Sequence, residues 1–232
     1  MDKIKSYNIE KYTDNGNFVL EDDVIVEYPL TIYVNDKNLC TLYMTPDDIR
    51  YLIIGDLYTR KIINRVSDIK ELNLLEDENK AFVKVNKLSK RKDVIKKVMI
   101  LDRNDVYNKI YEFENQSDIF KKTGASHLVA IADNNKIIRF KEDVSRNNAI
   151  DKIIGYILEK DIDISDKYLL LSCRISASIM QKIISIGIRT VISVAPPTSM
   201  AINMAKENDI NLIGFARDKR FNLYNRKDLE IK

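Results

Sequence analysis

The chain has 232 residues, enough for one large domain or two small ones, and 45% hydrophobic with 31% charged residues is the balance of a globule with a substantial core. Thirty-eight lysines and arginines against 35 acids leave +3, too mild to imply nucleic acid, while one histidine and two distant cysteines exclude a zinc ribbon, a dithiol motif and a His/Cys/Cys zinc centre, so no metal site is expected. No apolar run approaches the ~18 residues of a membrane span and MDKIKSYNIEKY lacks a signal-peptide core, so a cytoplasmic protein without a membrane partner is expected.

In chain order, VIVEYPLTIYV and LCTLYM read as two strands joined at Asn35-Asp36-Lys37-Asn38, a good hairpin turn. Thr45-Pro46-Asp47-Asp48 then predicts a helix start, with Thr45 as cap, Pro46 in the first position and acids in the first turn. Ile49, Leu52, Ile53 and Leu57 keep helical spacing behind it. Two strand-like runs between Phe82 and Lys97 flank Lys87-Leu88-Ser89-Lys90-Arg91-Lys92. Seven of the fourteen residues 84–97 are Lys or Arg, a stretch that reads either as a solvated edge or as a patch for phosphates or an acidic partner. A nucleic-acid surface is disfavoured there because no aromatics are interleaved.

From Gly124 onward the pattern changes. Leu128–Ala132 and Ile137–Phe140 read as a hairpin, followed by strand-turn-helix units over 136–158, 166–186 and 189–208 and a strand at 211–216. Helix Arg146–Leu158 carries Ala149, Ile150, Ile153, Ile154, Ile157 and Leu158 on one face, and Gly187 stops helix Ser176–Ile186. Alternating strands and helices predict an α/β sheet layered with helices. The organisation is then a smaller, β-rich N-terminal part with one long helix (1–118) and an α/β part (119–232), joined at the polar run Glu114–Asp118.

Three loops leave strand ends and enter helices: Lys141–Arg146, Ser172–Ser176 and Ala195–Ser199. Ligands of open α/β sheets gather at such carboxyl ends, and helix N-termini there offer free N–H groups to anions. Ala195-Pro196-Pro197-Thr198 is a rigid helix start with Thr198 as cap. GFARDKRFNLYN, residues 214–225, reads as a hairpin whose tip holds three cations within four residues. A solvated turn and an anion-binding tip both fit it. His127 reads as a core or edge histidine, and Cys40 and Cys173 as small buried hydrophobes.

Taken together, these stretches resemble one family. IFKKTGASHLVAIADNNKIIRFKEDVSRNNAIDKIIG is similar to the F..TGG.HAA…EDVGRHNA.DK..G block of the FdhD family, the formate dehydrogenase accessory proteins. LLLSCRISASIMQKIISIGIRTVISVAPPTSMA resembles its SGR.S…SAPT..A block, and GFARDKRFNLYN its terminal GF.R…R.N.Y block. VEYPLTIYVNDKNL and MTPDDIRYLIIGDL follow the family as well, so the likeness spans roughly residues 20–225 in order.

The resemblance implies a cytidine-deaminase-like C-terminal sheet without the zinc site. It implies a cytoplasmic role on the bis-molybdopterin guanine dinucleotide molybdenum cofactor of formate dehydrogenase, with sulfur from a cysteine desulfurase passed on through a Cys persulfide in a CxxC loop. Formate dehydrogenase and a cysteine desulfurase are then the candidate partners, and a GDP-like nucleotide would mimic the cofactor; the sequence leaves the oligomeric state open, with a homodimer as one option. The implied cofactor-binding set is Phe215, Ala216, Arg217, Asp218, Lys219 and Arg220 in the tip, with Arg174, Thr198, Asp143, Arg146 and Asn148 in the loops. The tip is thereby assigned to phosphate binding.

Departures from the pattern matter as much. The CxxC should fall between Lys90 and Lys109, and RKDVIKKVMILDRNDVYNK holds no cysteine. A persulfide needs a thiolate, so no catalytic residue is expected, with Cys173 the one weak substitute. Ala125, Ser145 and Cys173 replace family glycines, Asn147 replaces a His, and Ala195-Pro196 replace Ser-Ala. A second reading therefore stands beside sulfur transfer: a non-catalytic relative that binds a guanine nucleotide or a protein partner.

Overall fold

The structure is a computed structural model and describes residues 1–91 and 97–232. Strands β1 (Ile4–Thr13) and β2 (Gly16–Ile25) form a two-stranded antiparallel ribbon that the sequence pattern does not predict. Next, β3 (Tyr28–Val34) and β4 (Lys37–Met44) make the expected hairpin, with Asn35 and Asp36 both at positive φ as a tight two-residue turn demands. They share a sheet of order β4-β3-β6-β5 with β5 (Ile69–Leu75) and β6 (Lys80–Val85).

Helix α1 (Ile49–Thr59) starts three residues later than predicted. Thr45 does not cap it, and the helix cap, Asp48, sits at φ 52° with no side-chain capping bond. The reason lies in the partners of this turn. Thr45 bonds the chain at Asp143 and Val144, Asp47 pairs with Lys152 and Lys3, and Asp48 pairs with Lys141. The acids expected in the first turn are held by lysines outside the helix.

Two further elements follow, β7 (Met99–Leu101) and α2 (Arg103–Glu114), the latter capped by Asp102, whose carboxylate accepts from the amides of Asn104 and Asp105. A short helix, α3 (Asp118–Thr123), is capped by Ser117 and closed by Gly124 at φ 65°. The strand-like run expected after Lys92 lies outside the described residues.

The second half follows the α/β expectation closely: β8 (His127–Ala132), β9 (Ile137–Asp143), α4 (Arg146–Glu159), β10 (Tyr168–Leu171), α5 (Ala177–Ile186), β11 (Thr190–Ser193), α6 (Ser199–Glu207), β12 (Asn211–Arg217) and β13 (Arg220–Asn225), before the closing β14 (Leu229–Ile231). Gly187, at φ 86°, ends α5 as predicted. The six-stranded sheet runs β13-β12-β11-β10-β8-β9, with β10, β11 and β12 parallel.

Apolar periodicity decides the layers. On one face Val129, Ile131, Leu169, Leu171 and Val191 pack with Ile150, Ile153 and Ile154 of α4 and Ile179 and Ile183 of α5, and this core continues through Leu52, Ile53 and Leu57 of α1 to Leu30 and Ile32 of the four-stranded sheet. The opposite face, with Ala130, Leu170, Ile192 and Ile213, is covered by Val106, Ile110 and Phe113 of α2 and by the β7–β14 pair. Among the described residues no helix is long and apolar enough to cross a membrane.

Candidate functional site

Strand direction gathers the predicted loops on one side. The carboxyl ends of β9, β10, β11 and β12 and the start of β8 lie along the same sheet edge, where His127 is in register with Asp143. Helices α4, α5 and α6 all begin there. Backbone bonds lace the loops together: the amide of Ile175 donates to Pro196 O at 3.3 Å, and that of Thr198 to Ile175 O at 2.9 Å. Leu128 N donates to Ser172 Oγ at 2.9 Å, and Ser193 Oγ to Cys173 O at 2.8 Å.

Helix caps differ along this edge. Thr198 caps α6 as predicted, its hydroxyl accepting from Ala201 N. Ser145 and Ser176, the corresponding residues of α4 and α5, make no side-chain capping bond. The first amides of those two helices are therefore not satisfied by their caps, which leaves partial positive charge facing outward.

The tip is a hairpin turn. Asp218 and Lys219 both have positive φ, 52° and 54°, between Arg217 and Arg220, which face each other in register. Before it, Gly214 pairs with Asn222 and the register then shifts, with Phe215 at φ 53°. Positive φ is costly for a bulky aromatic residue, and such a bulge re-aims the side chains around it. Arg217 lies over the Phe215 ring at 5.8 Å. Gly214 is required at its position because a Cβ there would stand 2.9 Å from Pro197 Cδ and 3.0 Å from the Tyr224 ring.

Charge on this edge is one-sided. Arg146, Arg174, Arg217, Lys219 and Arg220 are exposed. Among the described residues no carboxylate lies within ion-pair distance of Arg146, Arg174 or Arg220, and Arg217 reaches Asp218 only at 4.0 Å across solvent. Glu114, at the end of α2, is a counterweight near the tip. Burial, then Asp218, push its carboxyl up, so it favours the neutral form more than an ordinary Glu. Burial, then the Arg146 charge, lower the His127 pKa and keep the imidazole neutral.

Not every predicted site residue joins this edge. Asp143 is fully buried, pairs with Lys152 at 2.8 Å and accepts from Thr45 N, Ser145 N and Asn148. Burial pushes its carboxyl up, with Lys152 pulling against it. Asn148 is also buried and donates to Tyr43 O at 2.6 Å. Both residues tie the start of α4 to the N-terminal part. Ala216 is buried beneath the tip, and the rest of the tip is reachable from solvent. Sequence reasoning misses Lys152, which is 0% exposed and also bonds Thr45 O, Glu142 O and Asp47. Its signal in the sequence is the Asp-Lys pair of the EDVGRHNA.DK..G block, matched here by Asp151 and Lys152.

A model of the FdhD/NarQ family matches residues 25–101 and 86–229. The chain belongs to the FdhD/NarQ family. Sulfur carrier protein FdhD of Bacillus licheniformis is 32% identical over 242 residues, covering 91% of this chain and 91% of that one. Its counterpart in Staphylococcus haemolyticus is 30% identical over 251 residues, covering 96% of this chain and 95% of that one. A crystal structure described as that of a formate dehydrogenase accessory protein from Desulfotalea psychrophila matches with a TM-score of 0.88 over 98% of this chain and 100% of that chain. At 22% identity that likeness establishes the shared fold.

For an FdhD/NarQ chain, the thiols are poorly placed. Cys173 is 4% exposed, and burial pushes its thiol up to about 11 despite the Arg146 charge. Cys40 is half-buried in β4, with its thiol also raised, first by burial and then by Asp56. Neither is a thiolate at neutral pH, and only the thiolate attacks sulfur. Among the described residues no cluster of His, Cys, Asp and Glu is arranged to hold a metal. Of the basic stretch, Arg91 is occupied internally by Asn64 Oδ1, Ser185 O and Tyr58 O, over the Tyr58 ring at 4.3 Å. Residues 92–96, part of that stretch and of the segment in which the CxxC would fall, lie outside the described residues.

Proposed function

We propose that this FdhD/NarQ protein acts in the cytoplasm in formate dehydrogenase maturation. It binds the bis-molybdopterin guanine dinucleotide molybdenum cofactor at the carboxyl edge of the six-stranded sheet, without carrying sulfur on a cysteine of its own. The carrying observation is the one-sided edge. Arg146, Arg174, Arg217 and Arg220 are exposed there, with no carboxylate among the described residues closer to them than 4.0 Å, beside the uncapped first turns of α4 and α5.

The fit is chemical. The bound cofactor presents two pyrophosphates, and guanidinium forks match phosphate oxygens with paired, charge-assisted hydrogen bonds. Arg217 and Arg220 hold one end of such a ligand, Arg174 and Arg146 the other, and the neutral His127 between β9 and β10 adds no charge that would need an anion of its own. Phe215, raised by the bulge, offers a flat apolar face for a guanine ring. The names of the relatives, sulfur carrier protein FdhD, support the maturation role. The two raised thiols support the carrier-less version of it.

The reading is tested by titrating the full chain with GDP in a calorimeter, with guanosine as the uncharged comparison. GDP binding with guanosine at least tenfold weaker is expected. Equal binding of both, or of neither, contradicts a phosphate-reading edge.

A further inference from the structure

Residues 142–152 turn most of their polar side chains inward. Glu142, Asp143, Asn148, Asp151 and Lys152 are buried, whereas Arg146, among them, is exposed at the carboxyl edge. At the centre lies the Lys152 ammonium, with four partners on two segments. Thr45 O at 3.1 Å and Asp47 Oδ1 at 2.5 Å belong to the turn before α1. Glu142 O at 3.1 Å and Asp143 Oδ2 at 2.8 Å belong to the loop before α4.

Those partners fix the backbone that leads into Arg146. Ser145 N donates to Asp143 Oδ1 at 2.9 Å and Val144 N to Thr45 Oγ1 at 3.0 Å, so the two amides ahead of Arg146 are both held. Thr45 N and Asn148 Nδ2 donate to the same Asp143 carboxylate. Glu142 faces the other way and accepts from Ser117 Oγ and, at 3.1 Å, from the hydroxyl of Ser126, the residue before His127. Arg146 is the first residue of α4, so its direction follows that of the loop.

We propose that Lys152 and Thr45 are positioning residues, which fix the loop before α4 from beneath and with it the direction in which Arg146 meets a ligand phosphate, an inference that rests on the carboxyl edge being a phosphate site. Burial argues for it. Taking an ammonium out of water is costly, and a buried ion pair stabilises a fold little more than apolar residues of the same volume. A methionine of similar length would fill the space without that cost, so the gain from a lysine lies in the geometry its hydrogen bonds impose. An exposed guanidinium on a wandering loop loses freedom when it binds, and a loop fixed in advance reduces that loss.

The test is a pair of double-mutant cycles on the full chain, with GDP affinity read by calorimetry and folding checked by circular dichroism. Lys152→Met and Thr45→Val are each measured in the wild type and in Arg146→Ala. Arg146→Ala alone is expected to weaken GDP binding about tenfold. Each inner variant is expected to weaken it about fivefold in the wild type, and by less than about twofold once Arg146 is gone. A role confined to holding the fold together gives the same factor in both backgrounds, and that result overturns the proposal. So does an Arg146→Ala variant that binds GDP as the wild type does. Burial already pushes the Asp143 carboxyl up, so it takes a proton readily when Lys152 is removed. Should Lys152→Met still unfold, the Thr45→Val cycle decides alone, since it changes no charge. Failure of the edge itself looks different. A wild type that does not bind GDP overturns both readings, whereas GDP binding that a folded inner variant leaves unchanged overturns the positioning role and leaves the phosphate site standing.

Discussion

Gly55 of α1 and Gly155 of α4 each lie against the backbone of the other helix where the two cross, Gly55 against Asp151 and Gly155 against Tyr51, and neither has room for a side chain. A Cβ on Gly55 would stand 1.9 Å from Asp151 O, and one on Gly155 would stand 1.9 Å from Tyr51 O. The contact joins the N-terminal helix to the α/β half with backbone against backbone. Alanine would gain about 1 kcal/mol of helix propensity at either site. Overpacking against a rigid carbonyl costs about 3 kcal/mol, and it wins because neither helix can move without disturbing its sheet. Gly55→Ala and Gly155→Ala are each expected to lower the urea midpoint clearly. An unchanged midpoint would contradict backbone contact between the two helices.

A second prediction concerns pH. Asp151 is fully buried, and burial raises its carboxyl to about 7 against the pull of Lys182, with Asp56 raising it further. A folded pKa above the unfolded one means that the native state holds the proton more tightly. Stability from this group is thus full below the ordinary Asp range and is lost as pH rises from there through about 7. His127 pulls the other way, since its pKa is lowered, and Asp143, also raised, pulls in the same direction as Asp151. The decisive quantity is therefore the difference between wild type and Asp151→Asn, measured by urea unfolding from about pH 5 to about pH 7.5. Wild type is expected to lose stability relative to the variant as pH rises. A difference that stays flat would show that Asp151 titrates normally.

How much of this is legible in the sequence varies by element. Isoleucine-rich periodicity places α4, α5 and the parallel strands, because each buries a simple stripe. Gly187 and Thr198 mark their helix ends because capping is local. The start of α1 is misread because Asp47 and Asp48 answer to lysines more than ninety residues away, which no local rule contains. Helix α2 escapes notice since its charged residues outnumber its buried Val106, Ile110 and Phe113. The ribbon escapes it because its strands are almost wholly exposed, which removes the alternation a half-buried strand shows. At the site, the cations of the tip are legible as a cluster, whereas the inward role of Asp143 is not, because a carboxylate's partner is invisible until the fold brings it near.

Sulfur gives a third prediction. Incubated with a cysteine desulfurase and isotopically labelled cysteine, the protein is expected to show no persulfide by mass spectrometry. The raised thiols of Cys40 and Cys173 account for this. A labelled persulfide on Cys173 that disappears in Cys173→Ser, together with formate dehydrogenase maturation, would restore a sulfur-transfer role.

The guanidiniums of the carboxyl edge are held to read phosphate, and on that the proposed function stands. The most direct measurement is the calorimetric affinity for GDP of wild type, Arg217→Ala and Arg220→Ala, with folding checked by circular dichroism. Each lost charge-assisted contact is expected to cost roughly 1.5–3 kcal/mol, a weakening of about tenfold or more. Both residues are exposed at a hairpin tip, so their loss leaves the core intact. Weakened binding in both variants is the predicted result, and unchanged affinity in both would place the ligand away from this edge.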